Sequence, residues 1–125
     1  MNGAPTSGIA DVSFQSKKTA SIISINSACK TYDNERKESL SALTHELLLG
    51  ISEINYFKEK NFPLDGNNAL QTTIKGKINN EDMQLRTVVV QRFNCVYDLM
   101  YISRPEKFGI DEEDFSHFVS SLKLK

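Results

Sequence analysis

The chain has 125 residues, of which 39% are hydrophobic and 25% are charged, and this length and composition predict a single globular domain with its own hydrophobic core. Fifteen basic and sixteen acidic residues give a net charge of −1, which does not favour binding along a nucleic acid backbone. No apolar run approaches the roughly 20 residues of a membrane-spanning helix.

Residues 1–11 are small and polar and contain proline and glycine. This composition predicts a flexible N-terminal leader, followed by a single α+β domain over residues 12–125. We interpret the leader as the tether of an exported domain whose signal sequence has been removed. A native start at Met1 would instead place the protein in the cytoplasm.

The first predicted elements are a hairpin and a helix. Apolar residues alternate with polar ones over 12–16 and 19–29, on either side of a Lys-Lys turn, which is typical of two paired strands. Residues 30–50 then predict an amphipathic helix capped by Asp33 or Asn34. Its apolar stripe has helical spacing and consists of Leu40, Leu43, Leu47 and Leu48.

Four further strands are predicted over residues 51–63, 68–79, 83–93 and 95–103. They are separated by the Asp-Gly turn at 65–66, a turn at 79–82 and a reversal near Asn94. The third and fourth of them are apolar on both faces, which indicates central strands.

The last element is predicted to be a helix with Asp111 as its N-cap and with Glu112, Glu113 and Asp114 in its first turn. Ile110 and Phe115 have the spacing of a hydrophobic staple. The element order is therefore β-β-α-β-β-β-β-α, which predicts a mainly antiparallel sheet flanked by helices.

The two cysteines lie at the end of one predicted strand and at the start of another. Cys29 and Cys95 are 66 positions apart, and neither belongs to a metal-ligand cluster or to a C-x-x-C motif. Two interpretations stay open: a structural disulfide, which would stabilise the fold by about 4 kcal/mol, or two reduced, buried thiols. A disulfide would indicate an oxidising compartment.

No catalytic, cofactor or metal site is predicted. His45 and His117 are expected on helix surfaces, and helix capping explains the acidic run at 111–114. The sequence has no phosphate-binding glycine loop and no G-x-S-x-G motif.

Two segments carry a resemblance to a known family. Residues 12–30, "VSFQSKKTASIISINSACK", resemble the opening hairpin of PsbP-like proteins, and residues 97–124 resemble their closing strand and helix, including an F-x-x-F-x-x-S-L ending. The resemblance covers about residues 11–124 and implies an αβα sandwich. The "SINSAC" and C-x-Y-D-L strands are most similar to those of small bacterial lipoproteins of unknown function. Because no manganese-, calcium- or Ran-binding motif matches, no binding residue is carried over.

The resemblance implies a non-enzymatic domain of the bacterial cell envelope, on the periplasmic face of a membrane. There it would bind an unidentified protein partner or aid an assembly. The lipidated cysteine that anchors such lipoproteins does not occur in this sequence. The alternative is a carrier of a small molecule or lipid, with a pocket between sheet and helix. The aromatic residues proposed for that pocket are Tyr56, Tyr97, Tyr101 and Phe108.

Overall fold

The computed structural model describes the backbone of residues 2–4 and, in full, residues 12–29, 39–93 and 95–123. The predicted α+β class and element order are confirmed. The elements are β1 (Asn2–Ala4), β2 (Val12–Gln15), β3 (Ile22–Cys29), α1 (Leu40–Leu47), β4 (Ser52–Leu64), β5 (Asn67–Ile78), β6 (Glu81–Arg92), β7 (Cys95–Ser103), a short 3-10 helix (Pro105–Lys107) and α2 (Phe108–Ser120).

The strands form one sheet in the order β1-β2-β3-β7-β6-β5-β4, and every neighbouring pair is antiparallel. The N-terminal hairpin β2–β3 therefore docks beside the C-terminal strand β7, and β4 forms the edge at the far side of the sheet. Val88, Val89 and Val90 of β6 are completely buried. Consecutive strand residues point to opposite faces, so both faces of β6 are covered, as predicted.

The strand β1 lies within the segment expected to be a flexible leader. Asn2–Ala4 pairs with Ser13–Gln15 of β2 at the sheet edge. Such pairing uses backbone groups, so it requires no apolar pattern that the sequence would reveal. Residues 1 and 5–11 of the expected leader lie outside the described residues.

Two tight turns join β4 to β5 and β5 to β6. Asp65 and Gly66 have φ angles of 50° and 81°, and Asn79 and Asn80 have φ angles of 51° and 66°. Two consecutive positive φ values are the signature of the type I′ hairpin, for which Asp-Gly and Asn are favoured. The predicted reversal near Asn94 centres on a residue outside the described ones.

The helix α2 covers one face of the sheet, here called the α2 side. It inserts Phe115 and Val119 against the central strands, and Phe108 at its start packs on Tyr101, with the ring centroids 4.5 Å apart. The buried members of this core are Ile23, Leu64, Ala69, Val88, Val90, Leu99, Tyr101, Phe108, Phe115 and Val119.

The opposite face, the α1 side, has a smaller core built on Leu48, Ile74 and Leu85. The helix α1 begins at Leu40, because the side-chain oxygen of Ser39 accepts a hydrogen bond from the Ala42 N–H. The caps proposed from the sequence, Asp33 and Asn34, lie outside the described residues. Two covered faces make the architecture an αβα sandwich.

The predicted start of α2 is wrong by four residues, because the predicted N-cap is Asp111 and the observed N-cap is Lys107. The helix begins at Phe108, so Asp111 lies inside its first turn and is 8% exposed. Its carboxylate accepts a hydrogen bond from the Thr19 hydroxyl, in the turn between β2 and β3. The proposed staple is also wrong, because Ile110 is 59% exposed. A tertiary hydrogen bond, which local capping rules do not include, explains the acidic residue at 111.

Gly76 allows the start of β4 to cross close over β5. The β4–β5 register is irregular between Ser52 and Tyr56, where Glu53 has a φ of 50°. A Cβ atom at Gly76 would lie 2.7 Å from Ile51 Cγ2 and 2.9 Å from the Ser52 carbonyl oxygen. Only glycine permits this approach without a backbone shift.

Replacing Gly76 with alanine is expected to lower the free energy of unfolding by about 1–3 kcal/mol, the usual cost of overpacking. The matched control is Gly109→Ala, since a Cβ atom at Gly109 meets no atom within 4 Å. Urea unfolding followed by circular dichroism measures both. Equal stability of the two variants would contradict the close approach.

Candidate functional site

The histidines and acidic residues do not form a reactive cluster. His45 is exposed, and His117 lies on the surface of α2 with its Nε2 atom 3.6 Å from Glu113, so both histidines lie where they were expected. Within the described ranges, no group of three or more His, Cys, Asp or Glu residues has metal-binding geometry.

The four aromatic residues proposed for a pocket are not brought together. Tyr101 and Phe108 are in contact, but both lie in the closed α2-side core. Tyr97 packs at the margin of that core, whereas Tyr56 lies on the edge strand β4 and is 40% exposed.

A buried polar cluster lies where the β2–β3 turn meets β7 and α2. The Ser21 hydroxyl donates to Ser103 Oγ at 2.9 Å, and the Thr19 hydroxyl lies within hydrogen-bond distance of both Ser21 and Asp111. The Tyr101 hydroxyl donates to the Phe108 carbonyl. All of these side chains are buried, so the cluster ties three elements together and does not face solvent.

Burial raises the pKa of Tyr101 above its ordinary value, hydrogen bonds from Ser21 and Ser103 oppose the shift, and the Asp111 carboxylate adds to it. The folded state therefore holds the phenol proton more tightly than the unfolded state does. The resulting stability is present below about pH 10, the ordinary tyrosine pKa, and is lost as the pH rises through the higher folded pKa.

We expect Tyr101→Phe to destabilise the protein by about 1 kcal/mol near neutral pH, since the Phe108 carbonyl loses its donor. The difference in free energy of unfolding between the variant and the parent protein should shrink above about pH 10. In that range Tyr101 of the parent ionises when the chain unfolds, which stabilises the unfolded parent, and the variant lacks this ionisation. Urea unfolding across this pH range measures it, with Tyr56→Phe as the exposed control. A difference that stayed constant with pH would contradict the raised pKa.

The two cysteines form a disulfide across the end of the sheet. Cys29 and Cys95 are directly opposite each other on β3 and β7, with their Cα atoms 4.0 Å apart. Of the two interpretations left open by the sequence, the structure therefore has the bridge.

The most distinctive surface lies on the α2 side, beyond the area that α2 covers. It is a groove of about 300 Å³ across β4, β5 and β6. Its floor has three rows of side chains that run across the strands. In the first row Lys60 of β4 lies opposite Gln71 of β5, and in the second Lys58 lies opposite Thr73, which lies opposite Arg86 of β6. In the third row Tyr56 lies opposite Lys75, which lies opposite Gln84. We call this surface the cationic groove because four of its lining residues are basic and one is acidic; its residues are Tyr56, Lys58, Glu59, Lys60, Gln71, Thr73, Lys75, Gln84 and Arg86.

Arg86 forms the wall of the cationic groove next to α2. Its Nη1 atom donates to Glu112 at 2.8 Å and its Nε atom donates to Thr73 at 3.0 Å. The guanidinium also lies 5.2 Å from the Phe108 ring centroid, a cation–π distance. Arg86 is thus held in place by protein groups, and its charge is partly balanced by Glu112.

The lysines of the groove are less constrained. The Lys75 ammonium lies 5.3 Å from the Tyr56 ring centroid. Lys58 and Lys60 are exposed, and neither forms an ion pair with another described residue. Their charges are therefore available to a ligand.

The cationic groove is bordered by the outer edge of β4. No strand pairs with this edge within the described part of the chain, and residues 52–61 are all exposed. Three large apolar side chains add to this surface, since Ile54, Tyr56 and Phe57 are 46%, 40% and 50% exposed. An unpaired strand with exposed apolar residues is a template for pairing with another chain.

A second groove, of about 370 Å³, continues from the cationic groove between α2 and the end of the β4–β5 hairpin. Lys60 and Gln71 line both grooves. Its apolar lining residues are Phe62, Pro63, Leu64, Phe115 and Val119.

The lysines of β4 are not among the site residues predicted from the sequence. Their signal was the alternation Tyr-x-Lys-x-Lys over 56–60, which at a period of two places all three side chains on one face. The sequence does not show whether this face of β4 is covered by a helix. Only the position of α2 shows that the face is open.

No family model and no curated protein matches the sequence. The fold is, however, similar to solved structures over nearly the whole chain. CyanoP, the cyanobacterial PsbP of Synechocystis sp. PCC 6803, has a TM-score of 0.71 at 9% identity, with 99% of this chain and 81% of that chain covered. Protein PA94 of Pseudomonas aeruginosa, of unknown function and named as a candidate regulator, has a TM-score of 0.63 at 16% identity, with the same coverage.

A third similar structure is LpqN of Mycobacterium tuberculosis, which is involved in cell envelope biogenesis. Its TM-score is 0.55 at 11% identity, and the alignment covers 97% of this chain and 75% of that chain. In the described part of the chain, no helix has the length and apolar character needed to cross a membrane. The resemblance noted in the sequence thus agrees with the three-dimensional comparison, and the chain has a PsbP-like fold.

Proposed function

We propose that this chain is a non-enzymatic domain of the bacterial cell envelope that binds a protein partner along the edge of β4. The observation that carries the proposal is the exposed strand itself. Along its 13 residues, the outer side of the strand is paired by no other described strand, and an extended segment of a partner can add to such an edge by backbone hydrogen bonds. The partner's side chains then provide specificity.

The envelope location has two supports. The disulfide between Cys29 and Cys95 is a bond that persists in oxidising compartments and is rare in the cytosol. LpqN, with the same fold, is involved in cell envelope biogenesis. We place the domain on the periplasmic face of a membrane, held by a lipid anchor outside the present sequence.

The test is site-specific photo-crosslinking in the native host. A photoreactive amino acid replaces Phe57, on the β4 edge, or Leu49, which is 82% exposed after α1. We expect a discrete crosslinked envelope protein from position 57 and none from position 49. Identical products from both positions, or none from position 57, would contradict partner binding at β4.

The second candidate is a carrier of a small molecule or lipid. The apolar groove between α2 and the β4–β5 hairpin favours it, because a cation at one end and apolar walls suit a ligand with an anionic head and an apolar body. A panel of fatty acids and anionic lipids should then raise the melting temperature, and the rise should be smaller in Phe62→Ala. No rise across the panel would eliminate this candidate.

A further inference from the structure

We propose that the partner segment added to β4 is an extended acidic peptide in which carboxylates alternate with apolar residues. This inference rests on the proposed function and specifies its ligand. An added strand continues the sheet, so its alternate side chains project to the α2 side, next to the cationic groove.

The charges on the α2 side of β4 define one half of the peptide. Lys58 and Lys60 are two residues apart and therefore on the same face, and Lys75 lies behind them on β5, opposite Tyr56. A carboxylate on every second residue of the peptide would lie opposite these lysines, where pairs of opposite charge stabilise cross-strand neighbours.

The other face of β4 defines the remaining peptide positions. Phe57 points to the α1 side and is 50% exposed, and Glu59, two residues further along β4, shares this face. An apolar side chain opposite Phe57 would bury its ring, whereas a carboxylate there would lie close to Glu59. The α1-side positions of the peptide are therefore expected to be apolar and uncharged.

Pairing with a second copy of this chain brings like charges together in three of the possible registers. Two antiparallel β4 strands related by a two-fold axis place side chains of the same face opposite each other. If the two-fold axis passes at Lys58 or at Lys60, that lysine lies opposite the same lysine of the other copy. If the axis passes at Glu59, Glu59 lies opposite Glu59 and Lys58 lies opposite Lys60. Like charges directly opposite each other are destabilising, so these three registers are disfavoured. A register centred on Phe57 opposes no like charges, but an acidic segment also places opposite charges against Lys58 and Lys60.

The probe is a capped synthetic peptide in which glutamate alternates with valine, and its control has glutamine in place of glutamate. Isothermal titration at low salt should give about tenfold tighter binding of the glutamate peptide, as expected for several exposed ion pairs. The preference should decrease as salt is added, because salt screens exposed charges.

Variants of the protein locate the charges. The double variant Lys58→Gln/Lys60→Gln should weaken binding of the glutamate peptide about fivefold and leave the glutamine peptide unaffected. Lys17→Gln/Lys18→Gln, in the exposed β2–β3 turn, removes the same charge far from β4 and should change neither affinity. Equal losses in the two double variants would overturn the assignment to β4.

Backbone N-methylation of the peptide separates strand addition from simple charge attraction. In an added strand, alternate N–H groups point toward β4 and the others toward solvent. Methylating the set of N–H groups that point toward β4 should abolish binding. Methylating the alternate set, which points toward solvent, should leave binding intact. Equal effects of methylating either set would overturn the strand-addition mode and, with it, the proposed function.

The remaining outcomes bear on the acidic ligand alone. If the glutamine peptide binds as tightly as the glutamate peptide, the acidic preference is wrong while partner binding at β4 stands. If neither peptide binds, the acidic alternation is not a sufficient ligand and the inference fails. The crosslink at position 57 then decides the proposed function separately.

Discussion

Replacing both Cys29 and Cys95 with serine is expected to lower the free energy of unfolding by about 4 kcal/mol. The bridge joins residues 66 positions apart and encloses α1, β4, β5 and β6. Removing it allows the unfolded chain many more conformations, and this entropy gain stabilises the unfolded state. The folded state should persist, because the α2-side core contains neither cysteine.

Urea unfolding of the double variant measures this effect, and the reduced parent protein is the control. Both lack the bridge and should unfold at nearly the same urea concentration. A loss below about 1 kcal/mol would show that the unfolded chain gains little freedom from the open loop. Since β6 and β5 lie between β7 and β4, peptide binding at the β4 edge should survive in the folded double variant.

Replacing Phe115 with alanine is expected to destabilise the protein by about 3–5 kcal/mol, the range for a fully buried phenylalanine. Phe115 is 1% exposed, and its ring stacks on Tyr101 with centroids 5.5 Å apart. Through these contacts it attaches α2 to the centre of the sheet. The loss includes the transfer of the ring to water and the cavity left between α2 and β7.

The control on the same helix is Ile110→Ala. Ile110 is 59% exposed, so its truncation should change stability by no more than about 0.5 kcal/mol. Thermal unfolding of both variants compares the two positions. A large loss in Ile110→Ala would support the hydrophobic staple that the structure lacks, and a small loss in Phe115→Ala would show that α2 contributes little to the core.

The structural neighbours indicate what this fold requires. Identities of 9% and 16% accompany TM-scores of 0.71 and 0.63, so residue identity is not what preserves the architecture. In this chain the architecture is maintained by the apolar pattern on the two faces of the sheet. A shared fold does not assign a role to surface residues such as Lys58 and Lys60, so their role has to be argued from this chain alone.

Much of the architecture was determined by the sequence alone. The order of strands and helices follows from period-two and helical apolar patterns and from the two strands that are apolar on both faces, since each pattern marks the faces that an element buries. The turns at Asp65–Gly66 and Asn79–Asn80 follow from residues that tolerate positive φ. Both cysteines were recognised at strand ends, but the sequence left their pairing open.

Only the tertiary structure decided the functions of several individual residues. Asp111 resembled a helix cap by local rules, yet its carboxylate bonds Thr19, which is 92 positions away. The aromatic residues proposed for a pocket were divided between core and edge, because sheet order determines which strand is covered. The open side of Lys58 and Lys60 depends likewise on α2 packing over β7 and leaving residues 52–61 of β4 exposed, a long-range arrangement that no local pattern encodes.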